Sequence, residues 1–472
     1  MTEHENKLER FLKFESENDL FKYKYKGVYF WALIRIPIYV KYFIKTENAH
    51  PDQKLKSPGD ENKYKKHIFK HIINRIMLKK KDILCVEPNF YKIINDNRIN
   101  PFVDFLKEIN FSTHYHTRYN YMLSDDIIYP GTNDSLLQLT KFLLYVKFNN
   151  LKIKTGIKKI KKDSEIVECL DTLRKKLNIN FDENYEYRIM AMVQDFILYK
   201  KVFKKLIKNK FKCVIFHCYY NTENMALISA ARELNVPSIE LQHGVIGKEH
   251  YAYNFIDMRS ENKYLPDYIF TFGDYWTDTM RVPCGTIPIS VGFPQIDLSR
   301  DYLKNVTQKQ KTIVFYSQGT IGHELSQLAL KFTEIACENG YTVKYKLHPS
   351  ECKSWKTLYP DLLCYEKIEV LDQPINVHEI LASAKFHIGV NSTVLFEALA
   401  FDGIVFAYNI NGVSYMNDLI EMGYVQLFND ETELLHLIEN GSGYVENKVI
   451  SENLFKHNSV KNIENEIHKI IN

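Results

Sequence analysis

From residue 82 onward, short apolar runs alternate with longer segments of helical period. Runs at 82–86, 213–217, 237–241 and 267–272 predict buried strands, and the 3.6-residue spacing of apolar positions predicts helices over 187–208 and 224–234. The second half repeats the pattern, with strands predicted at 312–316, 342–347, 367–371, 385–389 and 404–407 and helices at 324–339, 377–384, 392–400 and 431–440. Strands that alternate with helices in this way pair in parallel, each joined to the next by a crossover helix. The expected fold class is α/β: two Rossmann-like domains, a repeat at the scale of a domain. The first 80 residues read as mainly helical, with a polar break at 51–62. Val291-Gly292-Phe293-Pro294-Gln295, followed by the polar stretch 299–311, reads as the linker between the halves. The predicted divisions are a helical N-terminal segment 1–80, a first domain 81–298, a second domain 299–450 and a C-terminal helix 451–472.

Composition narrows the class. A chain of 472 residues is natural for two domains, and a hydrophobic fraction of 45% with 25% charged residues is that of an ordinary globular protein. A net charge of +4 argues against a protein built mainly to hold nucleic acid. The eight cysteines are scattered without a C-x-x-C pair, which fits reduced thiols in the cytosol and no zinc site. The charged start, 1–10, lacks the pattern of a signal peptide. No transmembrane helix is expected, because no apolar run reaches about 18 residues.

Two features complicate that cytoplasmic expectation. Residues 27–46, GVYFWALIRIPIYVKYFIKT, are aromatic and aliphatic but interrupted by Arg35, Pro37, Lys41 and Lys45. Such a segment either packs as a buried helix on the first domain or lies in a membrane interface with its lysines among headgroups. Lysines also cluster at 54–81, 141–162 and 200–212; in the third, Lys201, Lys204, Lys205 and Lys208 lie opposite Val202, Phe203, Leu206 and Ile207. Each cluster alone reads as a solvated face, whereas three in one half suit an anionic partner such as a membrane surface.

Candidate chemistry sits at the strand ends. Lys346-Leu347-His348-Pro349-Ser350-Glu351 closes one predicted strand, and Gly389-Val390-Asn391-Ser392-Thr393 joins another to the helix that follows. Open α/β sheets present ligand-binding groups at such positions, and a helix N-terminus with hydroxyls can hold phosphate. Together they suggest a nucleotide mono- or diphosphate donor. Ser317-Gln318-Gly319-Thr320-Ile321-Gly322 follows the first strand of the second half; its glycines let backbone approach a donor, although it is neither G-x-G-x-x-G nor a P-loop. In the first half, His243 follows a strand and precedes Gly244 and Gly247. A histidine there is a candidate general base, or a structural side chain bonded to the loop backbone. Lys248, Glu249 and His250 come next, as acceptor contacts or as exposed loop. Asp125 and Asp126 do not form Asp-x-Asp, and neither H-E-x-x-H nor G-x-S-x-G occurs. No required metal and no cofactor is expected.

These motifs carry a resemblance. Glu240-Leu241-Gln242-His243-Gly244-Val245-Ile246-Gly247 looks like the histidine–glycine loop of capsule and teichoic-acid transferases. Lys346-Leu347-His348-Pro349 resembles the histidine–proline motif of bacterial sialyltransferases, Kdo transferases and CDP-glycerol glycerophosphotransferases. Asn391-Ser392-Thr393 is similar to the serine pair that holds donor phosphate in those enzymes, and 291–297 to the segment before their second domain. The resemblance spans 210–430. It departs from the sialyltransferases in lacking an Asp/Glu-Asp-Gly motif, Asp402-Gly403 falling too late, and in carrying Thr393 as the second hydroxyl.

The resemblance implies a GT-B glycosyltransferase of surface-polysaccharide assembly, with acceptor and donor domains facing a central cleft. It implies His243 as base, His348 as phosphate donor in place of a metal, and Ser392, Thr393 and Asn391 at the phosphate. Lys346 adds charge, Ser317, Gln318 and Gly319 approach the donor, and Glu397 meets a ribose hydroxyl or faces solvent. The expected reaction is inverting transfer from a nucleotide-sugar donor, CMP-linked by the motif pair, to a glycan or glycolipid acceptor, by a cytoplasmic protein peripheral to the inner membrane. A CDP-polyol phosphotransferase, a UDP-sugar donor, a nucleotide-sugar 2-epimerase and a non-catalytic capsule scaffold remain alternatives.

Overall fold

A computed structural model describes residues 3–44, 80–87, 92–94, 97–117, 163–181, 185–256, 264–306, 309–319, 321–373, 375–441 and 447–472. The polar break at 51–62, the lysine cluster 141–162, nearly all of the cluster 54–81, Thr320, and Asp125 and Asp126 fall outside those residues.

The first domain is built on β1 (Ile83–Glu87), β2 (Thr113–Thr117), β3 (Cys213–His217), β4 (Ser238–Leu241), β5 (Tyr268–Thr271) and β6 (Ile287–Ser290). They form one parallel sheet in the order β2-β1-β3-β4-β5-β6. Side chains alternate across the central strands. Leu84, Val86, Val214 and Phe216 face a core shared with the N-terminal helices, and Ile83, Cys85, Cys213 and Ile215 face a core closed by Ile463 and Ile467. Burial on both faces is why β1 and β3 are continuous apolar runs.

The second domain holds β7 (Lys309–Tyr316), β8 (Thr342–Lys346), β9 (Ile368–Leu371), β10 (Ala384–Gly389), β11 (Ile404–Tyr408) and β12 (Val425–Phe428). They are all parallel, in the order β9-β8-β7-β10-β11-β12. This is the doubly wound order, and its direction reverses between β7 and β10. The loops after those two strands therefore flank the crevice where such sheets bind ligands.

The stretch expected to be a linker is ordered. Pro294–Leu303 is a helix with proline in its first turn, and β7 begins at Lys309. Its polar residues reach across the domain junction: Arg300 Nε donates to Ala400 O at 3.0 Å, and Ser299 Oγ lies 2.6 Å from His378 Nδ1. The chain then returns to the first domain. Ser459 donates through N and Oγ to Asp297 at 2.8 and 2.6 Å, and the helix Ser459–Ile471 packs beneath the first sheet. Gly292 is required at this crossing, because its φ of +101° is left-handed and a Cβ there would sit 2.2 Å from Lys456 O.

At the N-terminus, the helices Glu3–Glu17 and Phe30–Tyr39 pack on the first domain. Phe30, Trp31 and Ile38 are fully buried, so this part of the aromatic segment lies in the core and not at a membrane interface. In the helix Tyr185–Ile207, Phe203, Leu206 and Ile207 are buried, and Lys200 and Lys204 pair with Glu233 at 2.5 and 2.7 Å. Among the described residues, no helix is long and apolar enough to cross a membrane.

Candidate active site at the domain junction

The loop after β4 is anchored before it reaches the junction. Gln242 Oε1 accepts from Phe272 N at 2.7 Å, and its Nε2 donates to Gly244 O at 2.8 Å. Asn254 Nδ2 donates to Gly247 O and His250 O at 2.5 and 2.9 Å. These bonds fix the backbone of the loop within the first domain. A Cβ on Gly244 would lie 4.0 Å from Thr393 Oγ1, so the histidine–glycine loop meets the N-terminus of the helix Thr393–Ala400.

His243 Nε2 is 3.1 Å from the Tyr220 hydroxyl, while its buried Nδ1 has no hydrogen-bond partner. Burial lowers its pKa to about 4, so the ring is neutral at physiological pH. His250 accepts at Nδ1 from Ala252 N at 3.2 Å. Its pKa is lowered to about 3, first by burial and then by His243. Three residues before His243, Glu240 accepts from Tyr253 OH at 2.6 Å and from Tyr219 N at 3.0 Å. Burial outweighs those bonds and raises its pKa to about 7.

On the second domain, His348 is exposed at the end of β8. Its Nδ1 accepts from Ser350 N at 3.2 Å, which places the proton of the neutral ring on Nε2. Glu351 ties two loops together: it accepts from His348 N at 2.8 Å, from Ser317 Oγ at 3.1 Å and from the Tyr359 hydroxyl. Lys346 donates to Leu347 O at 2.8 Å, and partial burial lowers its pKa. Ser392 caps the helix that Thr393 opens, accepting from Val394 N at 3.4 Å, and Asn391 Nδ2 donates to Gly412 O at 3.1 Å. Ser317, Gln318 and Gly319 lie beside this loop, across the switch point, and Gln318 Oε1 is buried without a partner. Glu397 is largely buried, with one carboxylate oxygen 3.0 Å from His378 Nε2.

Lys248 is exposed and spans the junction to Asp418 at 2.7 Å. A cleft beside it is lined by Glu249, His250, Tyr275 and Trp276 from the first domain and by Ser414 and Tyr415 from the second. Among the described residues, no group of three potential metal ligands is clustered. Sequence reasoning missed Tyr220, Glu351 and the second-domain wall of the cleft. The only local signal was the aromatic pair Tyr219-Tyr220 just past β3.

Three buried histidines set an acid limit on stability. His387 is lowered to about 3, mainly by burial, as His243 and His250 are lowered to about 4 and about 3. Below pH ~6.5 the unfolded chain protonates all three while the folded chain does not, so stability falls as pH drops towards 4. Glu240 acts oppositely, since its folded carboxyl keeps a proton that the unfolded chain releases above pH ~4.5. The net difference of roughly two protons predicts a loss of about 2–3 kcal/mol per pH unit between pH 6 and 5. Urea unfolding at those pH values tests this, and a flat midpoint would contradict it.

Residues 307–408 match the family model "Alpha-2,8-polysialyltransferase (POLYST)". No curated protein matches the chain. UDP-GlcNAc 2-epimerase of Methanocaldococcus jannaschii, in complex with UDP-GlcNAc and UDP, is 14% identical over 82% of this chain and 99% of its own, with a TM-score of 0.45. The enzyme of that name from Neisseria meningitidis, bound to UDP-GlcNAc, is 13% identical over 82% and 100%, with a TM-score of 0.44. The glycotransferase of kitacinnamycin is 8% identical over 83% and 100%, with a TM-score of 0.46. The polysialyltransferase match covers β7 to β11 and both loops at the switch point. The two parallel-sheet domains and this match define a class, the glycosyltransferases of GT-B architecture.

Proposed function

We propose that the protein transfers a sugar, with inversion and without a metal, from a CMP-linked donor to a surface-polysaccharide or glycolipid acceptor on the cytoplasmic side of a membrane. The observation that carries this reading is a neutral histidine, one ring nitrogen unpaired, on a loop whose next residue, Gly244, approaches the hydroxyl-bearing helix N-terminus of the facing domain. His243 takes the acceptor's proton as the acceptor oxygen bonds to the anomeric carbon. The bond from that carbon to the phosphate oxygen breaks, and its electron pair leaves with the nucleotide. His348 Nε2–H, the Ser392 and Thr393 hydroxyls and the helix N-terminus receive that charge. Asn391, Lys346 and 317–319 border the nucleotide. Glu249, His250 and, after release from Asp418, Lys248 meet the acceptor in the cleft. Glu397 acts from behind, through His378.

A thermal-shift screen of CMP, CDP, UDP and GDP tests the donor class. A nucleotide at 100 times its Kd stabilises the folded state by about 2.7 kcal/mol, and CMP is expected to give the largest shift. A larger shift with UDP together with sugar interconversion would favour the epimerase alternative, CDP with polyol-phosphate transfer the phosphotransferase, and inertness to all four the scaffold.

A further inference from the structure

We propose that Tyr220 is a positioning residue that fixes the tautomer of His243, leaving Nδ1 as the atom that accepts the proton. The inference rests on the function proposed above.

Tyr220 is held rigidly. It follows a turn in which Cys218 adopts a left-handed φ of 55°, a conformation seldom taken by a residue with a Cβ. That turn is pinned on both sides. Asn221 Nδ2 and Asn224 Nδ2 donate to Cys218 O at 2.8 and 3.0 Å, and Tyr219 N donates to Glu240 Oε1 at 3.0 Å. The Tyr220 hydroxyl then lies 3.1 Å from His243 Nε2.

A phenol has one proton to give. Burial keeps Tyr220 protonated, and the Cys218 side chain lies near its hydroxyl as a second neighbour. When the proton points to sulfur, the oxygen accepts from His243 Nε2–H, and Nδ1 keeps its lone pair. The opposite arrangement spends the phenolic proton on Nε2 and puts the ring proton on Nδ1. That leaves a buried N–H without an acceptor, which costs the desolvation of that donor with nothing to offset it.

Among the described residues, the only hydrogen bond of the His243 ring is the one to Tyr220. The His217 ring stands edge-on at 5.5 Å from His243. His250 packs on the far side of Tyr220 at 5.7 Å and is itself neutral. Glu240 accepts from Tyr219 and Tyr253 at Oε1, while its Oε2 is buried without a hydrogen-bond partner, and Tyr251 stacks on His250.

The test is nitrogen NMR on the full chain labelled with 15N-histidine, with His243→Gln to assign the resonance. Wild type is expected to show a proton on Nε2 and a bare Nδ1 at pH 7, and Tyr220→Phe to show mixed tautomers. In the same variant, kcat for CMP-sugar hydrolysis is expected to fall about 10- to 100-fold, part of the 10²–10⁴ a positioned base supplies, with donor KM unchanged. A proton on Nδ1 in wild type overturns the proposal, and so does an unchanged tautomer in Tyr220→Phe. Should the variant fail to fold, the wild-type spectrum alone decides. Inertness toward every nucleotide sugar, with the tautomer as expected, would instead sink the transferase reading and leave the assignment of Tyr220 standing.

Discussion

Alanine at His243 is expected to lower sugar transfer by about 10²–10⁴-fold, the contribution of a positioned general base, while nucleotide affinity stays within about twofold. Alanine at His348 is expected to do the reverse: to weaken nucleotide binding by about 10- to 100-fold, the effect of losing a charge-assisted hydrogen bond of roughly 1.5–3 kcal/mol, with a smaller change in kcat at saturating donor. The difference follows from where the side chains sit. His243 is neutral, has an unpaired Nδ1 and precedes Gly244, which approaches the second domain. His348 is exposed at a strand end of the other domain, with its free ring N–H set by the bond from Ser350. Titration calorimetry with CMP gives affinity, and CMP release from the sugar donor gives turnover. Equal loss of affinity in both variants would remove the division of labour, and unchanged turnover in His243→Ala would remove the base.

Every central strand was legible, whereas of the four edge strands only β9, predicted at 367–371, was. β1, β3, β4, β5, β7, β8, β10 and β11 lie within about three residues of the apolar runs that predicted them, because a strand covered on both faces must be apolar at almost every position. In the two six-stranded sheets, the strands that went unpredicted, β2, β6 and β12, are all at sheet edges. β2 reads Thr-His-Tyr-His-Thr, β6 carries Pro288, and β12 carries Gln426. An edge strand tolerates polar residues and even proline, so its sequence resembles a loop. The helix Pro294–Leu303 was hidden for a related reason: its Asp297, Ser299 and Arg300 are polar because their partners come from 378, 400 and 457–459, and no local pattern announces those. At the site, the motif glycines and hydroxyls were visible as turn and cap residues. Tyr220 was not, since its relation to His243 exists only once β3 and β4 pair. Glu397 was legible as a helix position but not as a partner of His378, which belongs to another helix.

Removing the Glu15 carboxylate is expected to be among the most destabilising single changes in the chain. Arg35 is 2% exposed. Its Nε and Nη2 donate to Glu15 at 2.6 and 3.0 Å, and Nη1 and Nη2 donate to the carbonyls of Tyr251 and Asn254 at 2.6 and 2.8 Å. Trp31 Nε1 adds a further bond to Glu15 at 2.6 Å. Glu15→Ala leaves a buried guanidinium without its counter-charge, which costs about 3–5 kcal/mol, a large share of the roughly 5–15 kcal/mol that holds a folded protein together. Replacing both partners by apolar residues, Glu15→Leu with Arg35→Met, removes the stranded charge and is expected to recover most of that loss. The double variant still lacks the two bonds to Tyr251 and Asn254, the residues that close the loop carrying His250. It is therefore expected to fold yet to transfer sugar more slowly than wild type. Urea unfolding compares stabilities, and CMP release compares rates. A loss below about 1 kcal/mol in Glu15→Ala, the range of an exposed pair, would show that the charge finds water. Full activity in the double variant would show that the N-terminal helices do not hold the loop.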